Sequence, residues 1–225
     1  MRRRLYLMRH GAVAYFDGAG RPVAPDDVSL TEEGRRQAAA AARLLEPVLF
    51  DRVLASGLPR TVETARIVAP EHELEEWPEL QEIKGARLSS IPPDELEETF
   101  VHAFRGVVPV EKRFLGGETI GSLFDRVLPA LDRLLADESW DTVLAVLHGG
   151  VNRAIISYAL TGERTFLGHF EQAPGCVNVL DVGDEWIVRA VNVAPTDLAH
   201  SSTRLTTMEG YWQEYRPARR LREEA

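Results

Sequence analysis

The run Thr142–Leu147 constrains the fold of this chain more than any other stretch. All of its residues after the initial threonine are apolar, and a continuous apolar run of this length is typical of a strand buried on both faces within a parallel sheet. The run ends abruptly on His148-Gly149-Gly150, and a segment with helical character follows at 151–160. This pattern predicts a parallel sheet with intervening helices.

Strand-like and helix-like segments alternate along the rest of the chain. Further strands are predicted at 5–8, 51–56 and 74–77, and helices at 31–46, 60–68, 92–104 (mostly surface-facing) and after Thr119, with a kink at Pro129. Segments 176–182 and 186–193 flank turn-forming residues and predict a hairpin.

We therefore predict one α/β domain over residues 1–225. Its architecture is a three-layer sandwich with a mostly parallel central sheet, helices on both faces and a C-terminal antiparallel hairpin. The charged tail, 216–225, is expected to be mobile.

Composition limits the classes of function. The formal net charge of −9 disfavours a broad surface for nucleic acid, which requires an extended basic field. The single cysteine, Cys176, excludes an intramolecular disulfide and is expected in the core. No apolar run reaches the length of a signal peptide or a membrane span. We expect a cytoplasmic protein with a small substrate and no nucleic-acid or membrane partner; a homodimer is left open.

Polar side chains follow three of the predicted strands. Arg9-His10-Gly11 follows the first strand, Arg60 follows the second, and His148-Gly149 follows the run described above. Parallel strands bring their carboxyl ends to one edge of the sheet, where α/β proteins keep their sites. Arginines neutralise phosphoryl oxygens through paired hydrogen bonds, and a neutral imidazole can form a covalent phosphohistidine. The pattern indicates phosphoryl transfer, with a nearby carboxylic acid protonating the departing oxygen.

Residues 12–29 are rich in turn formers and lack sustained periodicity, which predicts a long loop. Such a loop inside a compact domain is usually functional, so we expect it to form a rim or a lid at the site. Its side chains Tyr15, Phe16 and Arg21 are candidates for shaping substrate choice.

The motifs, taken in order, resemble those of the histidine phosphatase superfamily, the phosphoglycerate mutase-like enzymes. The resemblance covers roughly residues 4–195. It rests on Arg9-His10-Gly11, Leu30-Thr31-Glu32-Glu33-Gly34, Ser56-Gly57-Leu58-Pro59-Arg60-Thr61, Leu80-Gln81-Glu82-Ile83, Gly117-Glu118-Thr119 and His148-Gly149.

The resemblance implies a role for each matching residue. His10 becomes the nucleophile that is phosphorylated, and Glu82 becomes the proton donor to the leaving group. Arg9, Arg60 and His148 bind phosphoryl oxygens, and backbone amides near Gly149 add an oxyanion contact. The scheme needs no metal and no other cofactor, because arginines and imidazolium supply the positive charge.

Two departures from the mutase pattern bear on the substrate. Family mutases typically follow the triplet with Glu-Ser and then an asparagine, where this chain has Ala12, Val13 and Phe16. The stretch after Glu82 is also unusual, with Lys84 and Arg87 available for a second anionic group or as surface charges. The leading hypothesis is therefore a metal-independent phosphomonoesterase that uses water as the acceptor.

Three alternatives stay open at this point. A cofactor-dependent phosphoglycerate mutase uses the same chemistry but returns the phosphoryl group to substrate. A catalytically silent binding protein would keep the fold without activity. A metal-dependent hydrolase is disfavoured because the sequence shows no clustered set of carboxylates and histidines.

Overall fold

The computed structural model describes residues 2–17 and 21–223. Six strands of this part of the chain form the main sheet. They are β1 (Arg3–Arg9), β2 (Arg52–Ala55), β3 (Leu74–Glu76), β5 (Thr142–Leu147), β7 (Val177–Val182) and β8 (Trp186–Val193). A separate antiparallel pair joins β4 (Val107–Val108) to β6 (Phe166–Leu167).

The sheet order is β3-β2-β5-β1-β7-β8. The first four of these strands are parallel to one another, and the hairpin of β7 and β8 adds two antiparallel pairings beside β1. The mixed, mostly parallel sheet and its terminal hairpin are confirmed. The carboxyl ends of β1, β2 and β5 consequently lie at one edge of the sheet.

The helices of the described residues are α1 (Glu32–Leu45), α2 (Pro59–Val68), α3 (Leu96–Val101), α4 (Ile120–Ala136), α5 (Gly149–Thr161) and α6 (Thr207–Glu223). The two faces of the sheet are covered by α1 and α2 on one side and by α4 and α5 on the other. Leu5 and Leu7 of β1 pack in one cluster with residues of α4 and α5. Tyr6 and Met8 point the other way, into a second cluster with residues of α1 and α2. Alternate side chains of one central strand therefore join the three layers.

A third hydrophobic cluster lies apart from these two. It joins Ile91, Leu96 and Phe100, in and before α3, to Trp212 and Tyr215 of α6. This contact corrects the expectation of a mostly surface-facing helix at 92–104. The α-helical part is shorter, Leu96–Val101, and two of its apolar side chains are buried against α6.

The C-terminal region differs most from the sequence prediction. Helix α6 extends through Glu223, whereas the sequence predicted a mobile tail from residue 216. Residues 224 and 225 lie outside the described residues, so mobility of the tail stays a prediction. The proline in α4 does not divide that helix, which continues through Pro129 to Ala136.

Segment 12–29 contains neither a helix nor a strand among its described residues, apart from isolated bridges such as Val13 to Leu30. None of the helices in the described ranges is long and apolar enough to cross a membrane.

Candidate active site

The end of β1 places His10 in the middle of the sheet edge. Its backbone N–H donates to the Leu147 carbonyl at 3.0 Å, and its own carbonyl accepts from Gly175 at 3.0 Å. Gly11 is required next, because a Cβ there would lie 2.3 Å from the carbonyl oxygen of Gly34. The backbone around His10 is thus held from both sides.

One ring nitrogen of His10 is occupied and the other is available. Nδ1 lies 2.8 Å from the Gly11 carbonyl oxygen, which can only accept, so Nδ1 carries the proton and Nε2 carries the lone pair. Burial lowers the pKa of His10 well below its usual range, and Arg60 and Arg9 lower it further, against the opposing effect of the Gly11 hydrogen bond. The result is a neutral imidazole with Nε2 ready to act as a nucleophile.

His148 faces His10 from the end of β5. The two ring centroids are 5.2 Å apart at an interplanar angle of 66°. Burial lowers the pKa of His148 well below its usual range, with further lowering by Arg60, His10 and Arg9. Both imidazoles are therefore neutral at neutral pH when no anion is bound.

A chain of hydroxyl groups fixes the orientation of His148. Thr61 Oγ1 donates to the Leu58 carbonyl at 2.8 Å, so it accepts from Ser56 Oγ at 3.0 Å. Ser56 Oγ in turn accepts from His148 Nε2 at 2.7 Å. Nδ1 of His148 is buried without a hydrogen-bond partner. Because Nε2 carries the proton of this neutral ring, Nδ1 is an acceptor, and its lack of a partner indicates a position for a ligand O–H group.

Arg60 enters the site from the first turn of α2 and is only 2% exposed. Its NH1 donates to the carbonyl of Pro25 in segment 12–29 at 2.6 Å. Its Nε is buried without a partner. The side chain thus connects the long loop to the two histidines, whose charge state it influences.

Arg9 is held by elements from the far end of the chain. Its NH1 donates to the Gln172 carbonyl at 2.5 Å and to Thr207 Oγ1 at 3.1 Å, and its NH2 donates to the Tyr211 hydroxyl at 3.2 Å. Its Nε has no partner and lies 3.6 Å from the point where a Cβ of Gly149 would be. Helix α6 therefore orients Arg9 so that Nε faces the start of α5.

Glu82 approaches the same point from a loop. Both carboxylate oxygens accept the backbone N–H of Gly150 at 3.1 Å, and Oε1 also accepts the N–H of Ile83 at 2.9 Å. One amide at the start of α5 is thus taken by Glu82 in this state, which leaves Gly149 as the position where the predicted oxyanion contact can form.

An ion pair missed by the sequence analysis supports the Glu82 loop. Arg126 of α4 donates to both oxygens of Glu118 at 2.9 and 3.1 Å and to the carbonyls of Glu79, Gln81 and Glu82 at 2.6–3.2 Å. Glu118 also accepts the backbone N–H of Lys84 at 3.0 Å. Three carbonyls within residues 79–82 are therefore tied to one partly buried guanidinium.

The site opens into a cavity of about 1090 Å³. Arg9, Arg60, Glu82 and Gly149 are among its lining residues, whereas His10 and His148 are not and are only 1% and 0% exposed. Among the residues proposed to shape substrate choice, Tyr15, Phe16, Lys84 and Arg87 line the cavity. Arg21 instead pairs with Asp17 at 2.7 Å.

Arg153, on the same face of α5 as Gly149, is a further cavity residue that the sequence analysis did not single out. It is 7% exposed and donates to the carbonyls of Gly149 at 3.2 Å and Phe170 at 3.1 Å. It thereby joins the start of α5 to the 168–171 segment. Within the described ranges, no group of three or more His, Cys, Asp or Glu side chains could hold a metal ion.

All six residues predicted for the site are brought together at one sheet edge, although their roles stay predictions. The supporting residues Thr207, Tyr211 and Arg126 were missed. Each acts from a helix remote in sequence, and spacing within a motif does not reveal such partners.

The comparison with known protein families matches nearly the same part of the chain as the motif resemblance described above. The family model described as the histidine phosphatase superfamily, branch 1, matches residues 5–194. The adenosylcobalamin/alpha-ribazole phosphatase of Salmonella typhimurium is 32% identical over 189 residues, which cover 80% of this chain and 90% of that protein. Phosphoserine phosphatase 1 of Hydrogenobacter thermophilus is 31% identical, over 68% of this chain and 74% of that protein.

Solved structures agree with the fold. The crystal structure of a putative alpha-ribazole-5'-P phosphatase from Escherichia coli superposes with a TM-score of 0.65 at 26% identity, and covers 84% of this chain and 96% of that one. The sequence match spans β1 to the end of β8 and includes all six residues gathered at the sheet edge. The chain belongs to the histidine phosphatase superfamily.

Proposed function

We propose that this protein is a metal-independent phosphomonoesterase that hydrolyses a small phosphorylated substrate through a phosphohistidine on His10. The observation that carries the proposal is the set of buried nitrogens without partners: Arg9 Nε, Arg60 Nε and His148 Nδ1. Their side chains act on His10, a neutral imidazole whose Nε2 holds a lone pair: His148 contacts the ring, and Arg60 and Arg9 lower its pKa. A phosphoryl group is the ligand whose several oxygens and negative charge match this arrangement.

In the first step Nε2 of His10 attacks phosphorus, and the bond from phosphorus to the ester oxygen breaks. Glu82 gives its proton to the departing alkoxide, which leaves as the alcohol. The electron pair of Nε2 forms the new phosphorus–nitrogen bond, and the hydrogen bond from Nδ1 to Gly11 stabilises the positive ring that results. Arg9 and Arg60 neutralise charge on the phosphoryl oxygens.

In the second step a water molecule attacks phosphorus and the phosphorus–nitrogen bond breaks. Glu82, now a carboxylate, takes a proton from that water, so the enzyme returns to its starting state. His148 contributes through Nδ1, because its other nitrogen is held by Ser56. A phosphate monoanion has one O–H group, which can donate a hydrogen bond to this nitrogen.

The names of the relatives support hydrolysis. They include an adenosylcobalamin/alpha-ribazole phosphatase and phosphoserine phosphatases, one of them, from Arabidopsis thaliana, named as metal-independent. Others are named as a probable phosphoglycerate mutase or a mutase-like protein. Against the mutase, Ala12 has no polar side chain and Val13 is buried among the apolar side chains near α1.

Incubation of the purified protein with phosphomonoesters and with 3-phosphoglycerate tests the proposal. We expect release of inorganic phosphate, unaffected by a chelator, and no isomerisation of 3-phosphoglycerate. A substrate labelled on phosphorus should leave an acid-labile label on the wild-type protein and none on His10→Ala. The exposed His200→Ala variant is the matched control and should label normally.

Three results would contradict the proposal: equal phosphate release by wild type and His10→Ala, loss of activity with chelator that added metal restores, or isomerisation without net release. The cytoplasmic location, the homodimer and a lid formed by residues 12–29 stay predictions.

A further inference from the structure

We infer that the alcohol half of the substrate carries an aromatic ring, which binds against a set of aromatic side chains in the cavity. This inference rests on the proposed function and names the substrate class within it. We call these side chains the aromatic wall. It consists of Tyr15, Phe16, Phe104, Phe114, Phe170 and Tyr211.

The aromatic wall comes from distant parts of the chain and forms two groups. In the first, Tyr15 and Tyr211 meet edge to face with centroids 5.1 Å apart. In the second, Phe104 and Phe114 stack at 5.1 Å with an angle of 10°. The guanidinium of Arg153 lies 5.1 Å from the centroid of Phe104 and 5.9 Å from that of Phe170, which links these rings.

The wall is partly exposed to the cavity and not closed into the core. Tyr15, Phe104, Phe114 and Phe170 are all half-buried, and apolar side chains that stay grouped and partly exposed in this way are typical of ligand-binding grooves. Burial raises the pKa of the Tyr15 phenol, and the same holds for Tyr211. Both therefore stay neutral and add no charge to this part of the cavity.

The size of the cavity fits the same class of ligand. Its volume of about 1090 Å³ lies just above the range of ~300–1,000 Å³ for pockets that take drug-sized molecules. The phosphoryl group needs only the part of the cavity that Arg9 and Arg60 line. The remainder is far larger than a three-carbon alcohol requires, and its aromatic lining favours stacking and edge-to-face contact with a ring.

The test compares two esters with the same bond to be broken. Ethyl phosphate and 2-phenylethyl phosphate both release a primary alcohol, and only the second carries a ring. Burial of one phenyl group predicts a kcat/KM about 10- to 100-fold higher for 2-phenylethyl phosphate, with most of the difference in KM. Phosphoserine serves as the small polar comparison and should resemble ethyl phosphate.

Variants of the aromatic wall test whether it causes the preference for the phenyl ester. In Phe114→Ala and Phe170→Ala we expect the preference for the phenyl ester to fall at least threefold. Phe50→Ala is the matched control, because Phe50 lies outside the cavity and packs edge-on against Tyr6 at 5.7 Å. It should keep the wild-type preference.

Binding measured by calorimetry separates this inference from the proposed function. We expect wild-type protein to bind 2-phenylethylphosphonate at least tenfold more tightly than ethylphosphonate, whether or not it hydrolyses any ester. Equal affinities, equal kcat/KM for the two esters, or a preference retained in both wall variants would overturn the inference. Absence of any hydrolysis alongside selective binding would overturn only the proposed function.

Discussion

Glu82 is attached by both carboxylate oxygens to the backbone N–H of Gly150, at 3.1 Å each. The loop that carries the proposed proton donor is thereby fixed to the first turn of α5, directly after His148. A Cβ on Gly150 would lie 2.5 Å from Glu82 Oε1 and 3.0 Å from Ile83 Cγ2. Glycine is required here so that the carboxylate can approach the helix, and this requirement can be tested.

Gly150→Ala is expected to displace the carboxylate and to leave the fold intact. The atom in closest conflict is the end of a flexible side chain, so the carboxylate moves at little cost in stability. We expect kcat for ethyl phosphate, whose leaving group needs a proton, to fall about 10²-fold. For p-nitrophenyl phosphate, whose leaving group needs little help, we expect a loss of less than about tenfold.

Gly210→Ala in α6 is the matched control, since a Cβ there meets nothing within 4 Å. It should keep wild-type kcat for both esters. Equal losses for the two esters in Gly150→Ala would show that the displaced group does not protonate the leaving group.

The interaction of Arg126 with the Glu82 loop predicts that two arginine variants of α4 differ in stability. Arg126→Met removes donors to three loop carbonyls. It also leaves Oε1 of Glu118, whose side chain is 14% exposed, without a partner, while Oε2 keeps the backbone N–H of Lys84. Because a buried acceptor without a partner is costly, we expect a loss of about 2 kcal/mol in the free energy of unfolding. We also expect lower kcat.

Arg133→Met provides the comparison for this prediction. Arg133 lies on the same helix and pairs with the same loop through Glu79, but its side chain is 54% exposed. Such pairs contribute ~0–1 kcal/mol. Urea denaturation of the two variants should therefore give clearly different midpoints, and similar midpoints would contradict the proposed support.

The two buried histidines predict how stability changes with pH. Both have pKa values far below those of the unfolded chain, chiefly because of burial, so below about pH 6.5 only the unfolded state takes up their protons. Their contribution to stability is present above pH 6.5 and is lost as pH falls. The loss is expected to reach up to ~1.4 kcal/mol per pH unit for each histidine.

Urea denaturation at pH 7.5 and 5.5 measures this loss. His10→Gln and His148→Gln should each remove about half of the dependence attributed to the pair, while the exposed His200→Gln keeps it. Titration of ¹⁵N-labelled histidine by NMR gives an independent readout. A change in charge of either buried imidazole near pH 6.5 would contradict the prediction.

The sheet was predictable because its signals are local. The apolar run of β5 and the polar residues that follow β1, β2 and β5 specify which strands are buried and where their ends meet. Helix α6 was not predicted, because the charged residues that follow position 215 favoured a mobile tail. Met208, Tyr211, Trp212 and Tyr215 nevertheless have helical spacing, and this pattern could have revealed the face that packs on α3.

The site was predictable only in the residues proposed to react with the phosphoryl group or to bind it. His10, Arg60, Glu82 and His148 lie in motifs whose order identifies them. Their supports arise from tertiary contacts, such as Arg126 to the Glu82 loop, which connect residues 44 positions apart. No local pattern encodes such a contact, so the second layer of the site required the structure.

Helix α6 predicts a final effect, on phosphate affinity. Tyr211 accepts from NH2 of Arg9 and Thr207 from NH1, so the helix fixes one edge of the guanidinium while Nε faces Gly149. Tyr211→Phe removes one acceptor and keeps the ring in the aromatic wall. Thr207→Val removes the other acceptor at nearly constant volume. Because a hydrogen bond to a charged group contributes ~1.5–3 kcal/mol, Arg9 should be held less firmly in the double variant, in which the Gln172 carbonyl is the remaining acceptor.

We expect each single variant to raise the inhibition constant of inorganic phosphate about threefold, and the double variant to raise it at least tenfold, with KM rising in parallel. Tyr158→Phe, on α5 and outside the cavity, is the matched control for loss of a phenol hydroxyl. Unchanged phosphate inhibition in the double variant would show that Arg9 is positioned without α6. The family match ends at residue 194, before α6 begins. A parallel rise in the phosphate inhibition constant and in KM would therefore show that the functional site includes residues outside the match.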